Sequence, residues 1–247
     1  MTKSRITAIL VLLIFVGVFP LACGAQIAAG NETGKIGVAL KLSTLGPGAE
    51  VAFPIANKLN LRGGFNFFEY SRNFSKDGVQ YTGNLYFRSG EANVDWFPIG
   101  HQLHLSPGLI FYNGNQVQAI AAVPGGQNFT LNNTAYMSDA ADPVKGVGQL
   151  DFTKVAPTFR VGFGNLVPRN SKHFSILAEV GVAYTGTPRT SLSFSGTACT
   201  TSGPPCVNMA TDPTVQANVQ AEQNKINKDL TLFKFYPIIS FGVGYKF

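Results

Sequence analysis

Apolar residues recur at every second position in eight separate stretches of this sequence, and this alternation constrains the fold more than any other feature. A period of two is typical of a β-strand, because successive side chains point to opposite faces of the sheet. The final stretch shows the pattern most clearly, with one face made of Ile239, Phe241, Val243, Tyr245 and Phe247. Its other face carries only serine, glycine and lysine. The sequence therefore predicts an all-β chain whose strands each have one apolar face.

The alternation predicts eight strands. They cover about residues 36–42, 49–55, 59–67, 81–97, 102–111, 155–163, 174–184 and a last strand that ends at 247. Several have the roughly 9–11 residues that a tilted strand needs to cross a membrane. In the fourth strand, Leu85 and Phe87 are out of step with Val94 and Trp96. This change of phase predicts a β-bulge near Ser89–Gly90.

The connections between these strands alternate in length. Those after the second, fourth and sixth strands are short, and those after the third, fifth and seventh are longer. Two segments, at about 114–150 and 197–230, are much longer than the rest. Within the second segment, Asp212 and Pro213 predict the start of a short helix, whose ragged apolar stripe would dock the loop. Short turns at one end and long loops at the other are typical of outer-membrane β-barrels.

The second face of the strands argues against a soluble protein. A soluble eight-stranded sandwich or lipocalin-like barrel would turn its apolar face inward and expose the other face to water. Here that other face is rich in glycine and alanine, which suits the lining of a narrow barrel better than a wet surface. Charged residues are only 13% of the chain, and the aromatic 12% gather at strand ends, where they would form membrane girdles. We therefore predict an eight-stranded antiparallel transmembrane β-barrel.

The beginning of the chain has the features of a secretory signal peptide. Lys3 and Arg5 precede an uncharged run over residues 6–21, and small residues follow up to Ala25. The interpretation is a signal peptide at 1–25 and a barrel domain at 26–247. A membrane anchor is the alternative, but Pro20 interrupts a run that is already short for a helical span. Lipid modification of Cys23 is a minor alternative.

Charge and cysteine content narrow the function classes further. The formal net charge is +6, without a cluster of Lys and Arg, so the sequence does not predict a nucleic-acid partner. After the leader, Cys199 and Cys206 remain in the stretch "CTTSGPPC". In an exported chain two such cysteines predict a local disulfide. Metal ligation is the weaker alternative, because two thiolates without a nearby histidine make an incomplete site.

Three phrases carry a resemblance to a known family. "GAEVAFPIANKLNLRGGFNFF", "VDWFPIGHQLHLSPGLIFYNGN" and "FKFYPIISFGVGYKF" resemble the repeating phrases of small bacterial outer-membrane barrels, in the broad OmpA-like and OmpW-like grouping of eight-stranded proteins. The resemblance covers most of residues 26–247 and is one of architecture. The sequence shows no peptidoglycan-binding domain after the barrel, so a tether to the cell wall is not implied.

The resemblance implies where the protein resides and how it gets there. It implies the bacterial outer membrane, with outer-membrane lipids and the outer-membrane assembly machinery as partners. In that grouping a terminal aromatic, preceded by apolar residues at alternate positions, is the signal that the machinery reads. Here the signal would be Ile239, Phe241, Val243, Tyr245 and Phe247. We expect a monomer.

Strand parity places a set of charged side chains inside the barrel. They are Lys41, Glu50, Arg62, Glu91, Asp95, Lys154, Arg160, Glu179, Lys234 and Lys246. Opposite charges in an enclosed space are expected to pair, because an unpaired buried charge is costly. The pattern therefore favours an ionic plug and a structural or cell-surface role. The alternative is a narrow channel for ions or a small or hydrophobic solute, lined by the same residues.

The sequence contains no convincing catalytic or cofactor motif. Its glycine-rich phrases lie in strands without a following helix, so they predict no phosphate-binding loop. The spacing of His104 and Ser106, two apart on one strand face, is similar to that of outer-membrane lipid deacylases. Here the pair would point into the lumen near the short-turn end, away from the lipid substrate of those enzymes. We predict no enzymatic activity, no cofactor and no metal.

Overall fold

The computed structural model describes residues 35–200 and 203–247, and the predicted signal peptide and Cys23 lie outside them. The described chain is mostly β-structure with one α-helix. The strands are β1 (Gly37–Ser43), β2 (Gly46–Ala56), β3 (Leu59–Lys76), β4 (Val79–Trp96), β5 (Leu103–Asn113), β6 (Gln116–Ala122), β7 (Asn128–Leu131), β8 (Thr134–Ser138), β9 (Lys145–Asp151), β10 (Ala156–Phe163), β11 (Phe174–Tyr184), β12 (Arg189–Ser195), β13 (Thr197–Thr200), β14 (Gly203–Asn208) and β15 (Phe235–Lys246). The helix α1 covers Pro213–Asp229, and a 3₁₀ turn follows at Leu230–Leu232.

Eight of these strands form a closed antiparallel barrel. Strands β1 to β5 pair in chain order, β5 pairs with β10, and β10 pairs with β11. Strand β15 then pairs with both β11 and β1, which closes the ring. These are the eight predicted strands, so the predicted fold class is confirmed. Closure pairs every barrel strand on both sides and leaves no free sheet edge in the wall.

The barrel wall has its apolar face outside. Leu40 is 74% exposed and Ile176 is 75% exposed, although both lie in the middle of regular strands. Their neighbours Lys41 and Leu177 point inward and are buried. A soluble strand would show the opposite arrangement, because water favours a polar outer face. The alternation therefore fits a barrel that is surrounded by hydrocarbon.

In residues 35–200 and 203–247, no helix combines the length and the apolar composition that a membrane crossing requires.

The two long connections form an ordered cap over one end of the barrel, which we call the long-loop end. Strands β6, β9 and β12 extend the barrel sheet outward from the upper part of β4, and β7, β8, β13 and β14 form a second antiparallel sheet. A cluster around Val144, Met209 and Val215 packs between these elements as the apolar core of the cap. The sequence predicted the cap segments as long loops, because their short strands lack a long run of alternation.

The predicted helix and the predicted disulfide both lie in the cap. Helix α1 begins where expected, and the Asp212 carboxylate accepts a hydrogen bond from the backbone N–H of Val215 at 3.0 Å. This bond satisfies one of the free donors at the helix start. Val215 and Val219 are its buried contacts with the cap core. A disulfide joins Cys199 to Cys206 across the β13–β14 pair.

Helix α1 also covers the free edge of the larger sheet. Strand β12 is the last strand of that sheet and pairs only with β9. The backbone N–H of Thr190 donates to Asn227 Oδ1 at 2.9 Å, and that of Leu192 donates to Gln223 Oε1 at 3.2 Å. Residues 223 and 227 lie one turn apart on the helix, so their amides meet donors two residues apart on the strand. An exposed edge is a template for unwanted pairing, and the helix blunts it.

The structure has a bulge at the predicted position, but the prediction rested on a change of phase within β4, and that reason was wrong. The β4–β5 register shifts between Gly90 and Glu91, with the extra residue on β5. The pairing of β3 with β4 has no shift along all 18 residues. Leu85 and Phe87 therefore lie on the same face as Glu91, because alternate residues share a face. What changes along β4 is the character of the inner face, which is charged inside the barrel and apolar beneath the cap.

Candidate functional site

The barrel lumen is filled at mid-height by a cluster of charged side chains, which we call the ionic cluster. Each member is at most 5% exposed. The cluster consists of Lys41 on β1, Glu50 on β2, Arg62 on β3, Glu91 and Asp95 on β4, Arg160 on β10 and Glu179 on β11. Six of the eight barrel strands thus contribute a charge, so the cluster ties opposite walls of the barrel together.

Lys41 and Arg160 bridge the carboxylates on one side of the cluster. The Lys41 ammonium donates to Glu50 Oε1 at 2.6 Å and also pairs with Glu91. Arg160 pairs with the second oxygen of Glu91, and its other terminal nitrogen lies 3.5 Å from Glu179 Oε2. Because Glu91 meets both cations, removing either one leaves a buried acid short of a partner.

Arg62 connects the other side of the cluster. Its guanidinium donates to Glu50 Oε2 and to Asp95 Oδ1, both at 3.0 Å, and also to Glu179. A planar guanidinium can hold several carboxylate oxygens at fixed angles, which a lysine cannot. Arg62 and Arg160 therefore link all four carboxylates into one connected network.

Polar side chains complete the carboxylate contacts. Ser106 donates to Asp95 Oδ1 at 2.6 Å, and Ser240 donates to Glu179 Oε2 at 3.1 Å. His104 Nε2 lies 3.0 Å from Glu179 Oε1. The sequence placed His104 and Ser106 in the lumen but gave them no partners, because the carboxylates that they contact come from other strands. Strand parity could have added Ser240 to the predicted inward set.

Glycines on the inner face make room for the cluster. A Cβ atom at Gly64 would lie 2.8 Å from Cγ of Glu50, and one at Gly181 would lie 2.7 Å from Cγ of Arg160. Distances this short do not occur between real side chains, so a larger residue would displace the charged groups. The glycine-rich face that suits water so poorly therefore serves to accommodate long ionic side chains in a narrow barrel.

The short-turn end of the lumen is closed by the connection between β10 and β11, residues 164–173. The sequence predicted an ordinary turn here, but the segment folds into the barrel mouth and buries Leu166 and Val167. Arg169 fixes it to the β2–β3 turn by donating to the carbonyl of Ala56 at 2.8 Å, and Lys246 Nζ donates to the carbonyl of Pro168 at 2.9 Å. Burial lowers the pKa of the Arg169 guanidinium below its ordinary value.

The long-loop end of the lumen is closed by an apolar layer. Leu45 from the β1–β2 turn packs with Ile110, Ala156 and Ile238, all nearly fully buried. A cavity next to this layer, bordered by Leu45, Ile110 and Phe152 among others, has a volume of only about 10 Å³. That is at the lower limit for holding one water molecule. The ionic cluster is therefore enclosed between two packed layers.

A larger concavity lies on the outer wall of the barrel instead. It has a volume of about 700 Å³ and runs over β1, β2 and β3 beside the end of β15. Its border includes Leu40, Val51, Phe65 and Val243, which belong to the apolar outer face. The concavity therefore opens toward the surroundings of the barrel.

Three of the predicted lumen residues lie elsewhere or have another role. Lys154 and Lys234 are exposed, because they precede the first residues of β10 and β15 and strand parity does not extend to them. Placing these two in the lumen was wrong. Lys246 does point inward and is buried, but at the short-turn end, where it also donates to the carbonyl of Asn170 at 2.5 Å.

The predicted assembly residues form an outward-facing stripe on β15 and beyond it. Ile239, Phe241 and Val243 are exposed on the outer wall. Tyr245 packs edge-on against Phe247, with ring centroids 5.0 Å apart. The backbone N–H of Phe247 donates to the carbonyl of residue 36 at 2.9 Å, so the last residue is held at the seam between β15 and β1.

Solved structures of outer-membrane proteins resemble this chain. Acinetobacter baumannii CarO aligns with 85% of this chain and 96% of its own length, at 26% identity and a TM-score of 0.52. Acinetobacter baumannii CarO2 aligns with 86% and 98%, at 20% identity and a TM-score of 0.55, which supports the fold. No protein-family model matches the sequence. A comparison with curated proteins likewise finds no match.

The fold, the apolar outer face of the barrel and the comparison with solved structures support the same assignment. The barrel is closed by eight antiparallel strands, its outer face is apolar, and its short turns and long loops lie at opposite ends. The short-turn end is periplasmic and the capped end is extracellular in proteins of this kind. The chain is a small bacterial outer-membrane β-barrel protein of the eight-stranded type, located in the outer membrane.

Proposed function

We propose that this protein is an outer-membrane barrel with a structural or cell-surface role and a lumen that is plugged by its ionic cluster. The observation that carries the proposal is the interlocking of seven buried charges between a folded-in periplasmic connection and an apolar extracellular layer. Eight strands leave an interior just wide enough for side chains to fill. A lumen filled in this way has no continuous water column.

The ionic cluster also suits a structural role energetically. Charges inside a barrel are screened little, so each opposite pair attracts more strongly than on a wet surface. Separating Arg62 from Glu50 and Glu179 would leave uncompensated charges, at a cost of about 3–5 kcal/mol. A resting barrel is therefore expected to keep the cluster closed. The cap, which presents strands and a helix to the outside, would carry any cell-surface role.

The geometry supports a protein without catalytic activity. His104 and Ser106 are the tempting pair, but His104 contacts Glu179 while Ser106 donates to Asp95. Both side chains are buried in the lumen, where an outer-leaflet lipid has no access. Lipid A analysis of cells that overproduce the protein should show an unchanged lipid A pattern. A new deacylated species that disappears in Ser106→Ala would contradict this proposal.

Liposome swelling separates the plugged barrel from the alternative, a narrow channel. Proteoliposomes that contain the full chain should swell in arabinose or glycine no faster than liposomes with a heat-denatured preparation. Solute entry would require a water-filled path that the three filled layers do not provide. Swelling that scales with the amount of folded protein would favour the channel.

We propose that the outer-membrane assembly machinery recognises the terminal stripe that ends at Phe247. Phe247→Ala should lower the amount of heat-modifiable, folded barrel in outer-membrane fractions several-fold. Phe233→Ala is a matched control, since Phe233 is also an exposed aromatic but lies before β15. Equal folded amounts of both variants and the parent would mean that the terminal aromatic is incidental. We expect outer-membrane lipids around the wall and a monomeric protein.

A further inference from the structure

Both ring nitrogens of His104 face hydrogen-bond acceptors. Nδ1 lies 3.0 Å from the backbone carbonyl of Gly164 and 3.4 Å from that of Gln102. A carbonyl can only accept, so Nδ1 must carry a proton to make these contacts. Nε2 lies 3.0 Å from Glu179 Oε1, and this carboxylate also accepts from Arg62 and Ser240. An ionised carboxylate also only accepts, so a hydrogen bond between Nε2 and an ionised Glu179 requires a proton on Nε2 as well.

The charge balance of the ionic cluster also favours a proton on His104. Its basic side chains are one lysine and two arginines, Lys41, Arg62 and Arg160. Its acidic side chains are four carboxylates, Glu50, Glu91, Asp95 and Glu179. With a neutral His104 the cluster has one negative charge in excess, enclosed between two packed layers. The charged groups nearest the imidazole are Glu179 on β11 and Asp95 on β4. Arg62 on β3 and Arg160 on β10 pair with the same Glu179 carboxylate. A proton on the imidazole brings the cluster to neutrality.

We propose that the lumen contains a proton-binding site at His104, which is held as an imidazolium and acts as the fourth cation of the cluster. The inference deepens the plug proposed above and rests on it. It assigns to His104 a role that strand pattern alone does not show: the residue balances the charge of the plug and fastens β5 to β11. At the same time its Nδ1–H fastens β5 to the folded-in periplasmic connection through the Gly164 carbonyl.

A bound metal ion is the competing explanation for these contacts. Ligand atoms of Asp95, His104 and Glu179 lie within 4.8 Å of one another. However, the Arg62 guanidinium already donates to both carboxylates between which a metal would sit. A divalent cation would have to displace that guanidinium and would place two cations side by side. A proton between His104 and Glu179 requires no such displacement.

The direct test is nitrogen NMR of the full-length protein, labelled with ¹⁵N-histidine and folded in lipid nanodiscs at about pH 8. An ordinary solvated imidazole is largely neutral at that pH. His101 and His173 lie outside the lumen cluster and serve as references in the same sample. Assignment uses His104→Gln or, if that variant does not fold, His101→Gln and His173→Gln by elimination. We expect two protonated ring nitrogens at His104.

Two results would overturn the proposal. One is a His104 ring with a single protonated nitrogen at pH 8. The other is loss of the Nε2 proton on addition of one equivalent of Zn²⁺ alone, with Zn²⁺ retained through gel filtration, which would show a metal site instead. Neither result depends on ion flow, so conductance of the same samples tests the plug separately. A neutral His104 in a non-conducting barrel would remove this inference and leave the proposed function standing.

Discussion

In the lower half of β4, from Gly90 to Trp96, apolar side chains face outward and charged ones face the lumen. In its upper half the arrangement is reversed: Val79 and Tyr81 face inward and contact the cap core, while polar residues face out. The two halves belong to one strand with an unbroken register against β3. Neither twist nor slippage explains the reversal. It follows from the surroundings, which are hydrocarbon around the barrel and water around the cap.

The same reversal occurs on β3, and two adjacent aromatics mark it. Phe67 faces outward and Phe68 faces inward, because neighbouring residues on a strand point to opposite faces. Above this point the outer face carries Glu69, which pairs with Arg88 across the hairpin. The Arg88 guanidinium also lies 5.6 Å from the ring centroids of Phe67 and Tyr86. Aromatic and basic side chains together are typical of a membrane boundary.

The two regions are also held together differently. The barrel interior depends on buried ion pairs and has little apolar packing at mid-height, whereas the cap has a conventional apolar core and a disulfide. A truncation in the barrel interior should therefore act through uncompensated charge and affect the whole ring. A change in the cap should act through lost packing or chain entropy and stay local. The following experiments test this contrast.

The largest effect is expected from Arg62→Ala combined with Arg160→Ala. The double variant leaves four buried carboxylates with Lys41 as the remaining lysine or arginine of the cluster, and each broken buried pair costs about 3–5 kcal/mol. Urea unfolding in detergent should show a much lower midpoint. Arg88→Ala is the matched control, because its pair with Glu69 is about half exposed and should contribute at most about 1 kcal/mol. Similar losses in both variants would contradict the contrast.

A smaller effect is expected from a charge on the outer wall. Leu40→Arg should cost about 2–4 kcal/mol, because the residue faces hydrocarbon in the middle of β1. Asn73→Arg is the control on the outer face of the upper part of β3, where water surrounds the chain, and it should change stability by less than about 0.5 kcal/mol. Both are measured by reversible folding into lipid vesicles. If Leu40→Arg is as mild as Asn73→Arg, water surrounds the barrel wall.

The smallest effect concerns the disulfide in the cap. Closing the short loop between Cys199 and Cys206 contributes about 2 kcal/mol by chain entropy, and only to the cap. Replacing both residues by serine should increase proteolysis of the cap while the heat-modifiable barrel stays intact. Thiol labelling of the denatured, unreduced parent should modify neither cysteine. Stoichiometric labelling would show that the disulfide is absent. Loss of the folded barrel on reduction would contradict the claim that the disulfide stabilises only the cap.

The sequence predicts the barrel well because its signal is local. A period of two fixes which residues share a face, so Lys41, Glu50, Arg62 and Glu179 could be assigned to the lumen without any knowledge of their partners. Strand parity gave the wrong location for Lys154 and Lys234, because both lie just before their strands begin. It also could not foresee that residues 164–173 fold inward, because that depends on contacts of Arg169 with a turn more than 100 residues away.

The strands of the cap could not be predicted from residue alternation. Leu85 and Phe87 are apolar residues on the inner face of β4, beneath the cap. In a strand that is surrounded by hydrocarbon along its whole length, apolar residues on that face would indicate a change of register. Here they mark a change of surroundings instead. The short strands β6 to β9 share their apolar core with α1, β12, β13, β14 and the upper part of β4, and none has a long alternating run of its own. Such elements are specified by tertiary packing, which one sequence does not display.

Planar-bilayer recording of the purified full-length protein tests the plugged lumen most directly. The ionic cluster, enclosed between the periplasmic connection and the Leu45 layer, predicts little or no steady conductance in the parent. Arg62→Ala with Arg160→Ala should introduce a cation-preferring leak, because unpaired carboxylates then line the opened lumen. A large, stable conductance of the parent that this double substitution hardly changes would contradict the plug and establish the barrel as a channel.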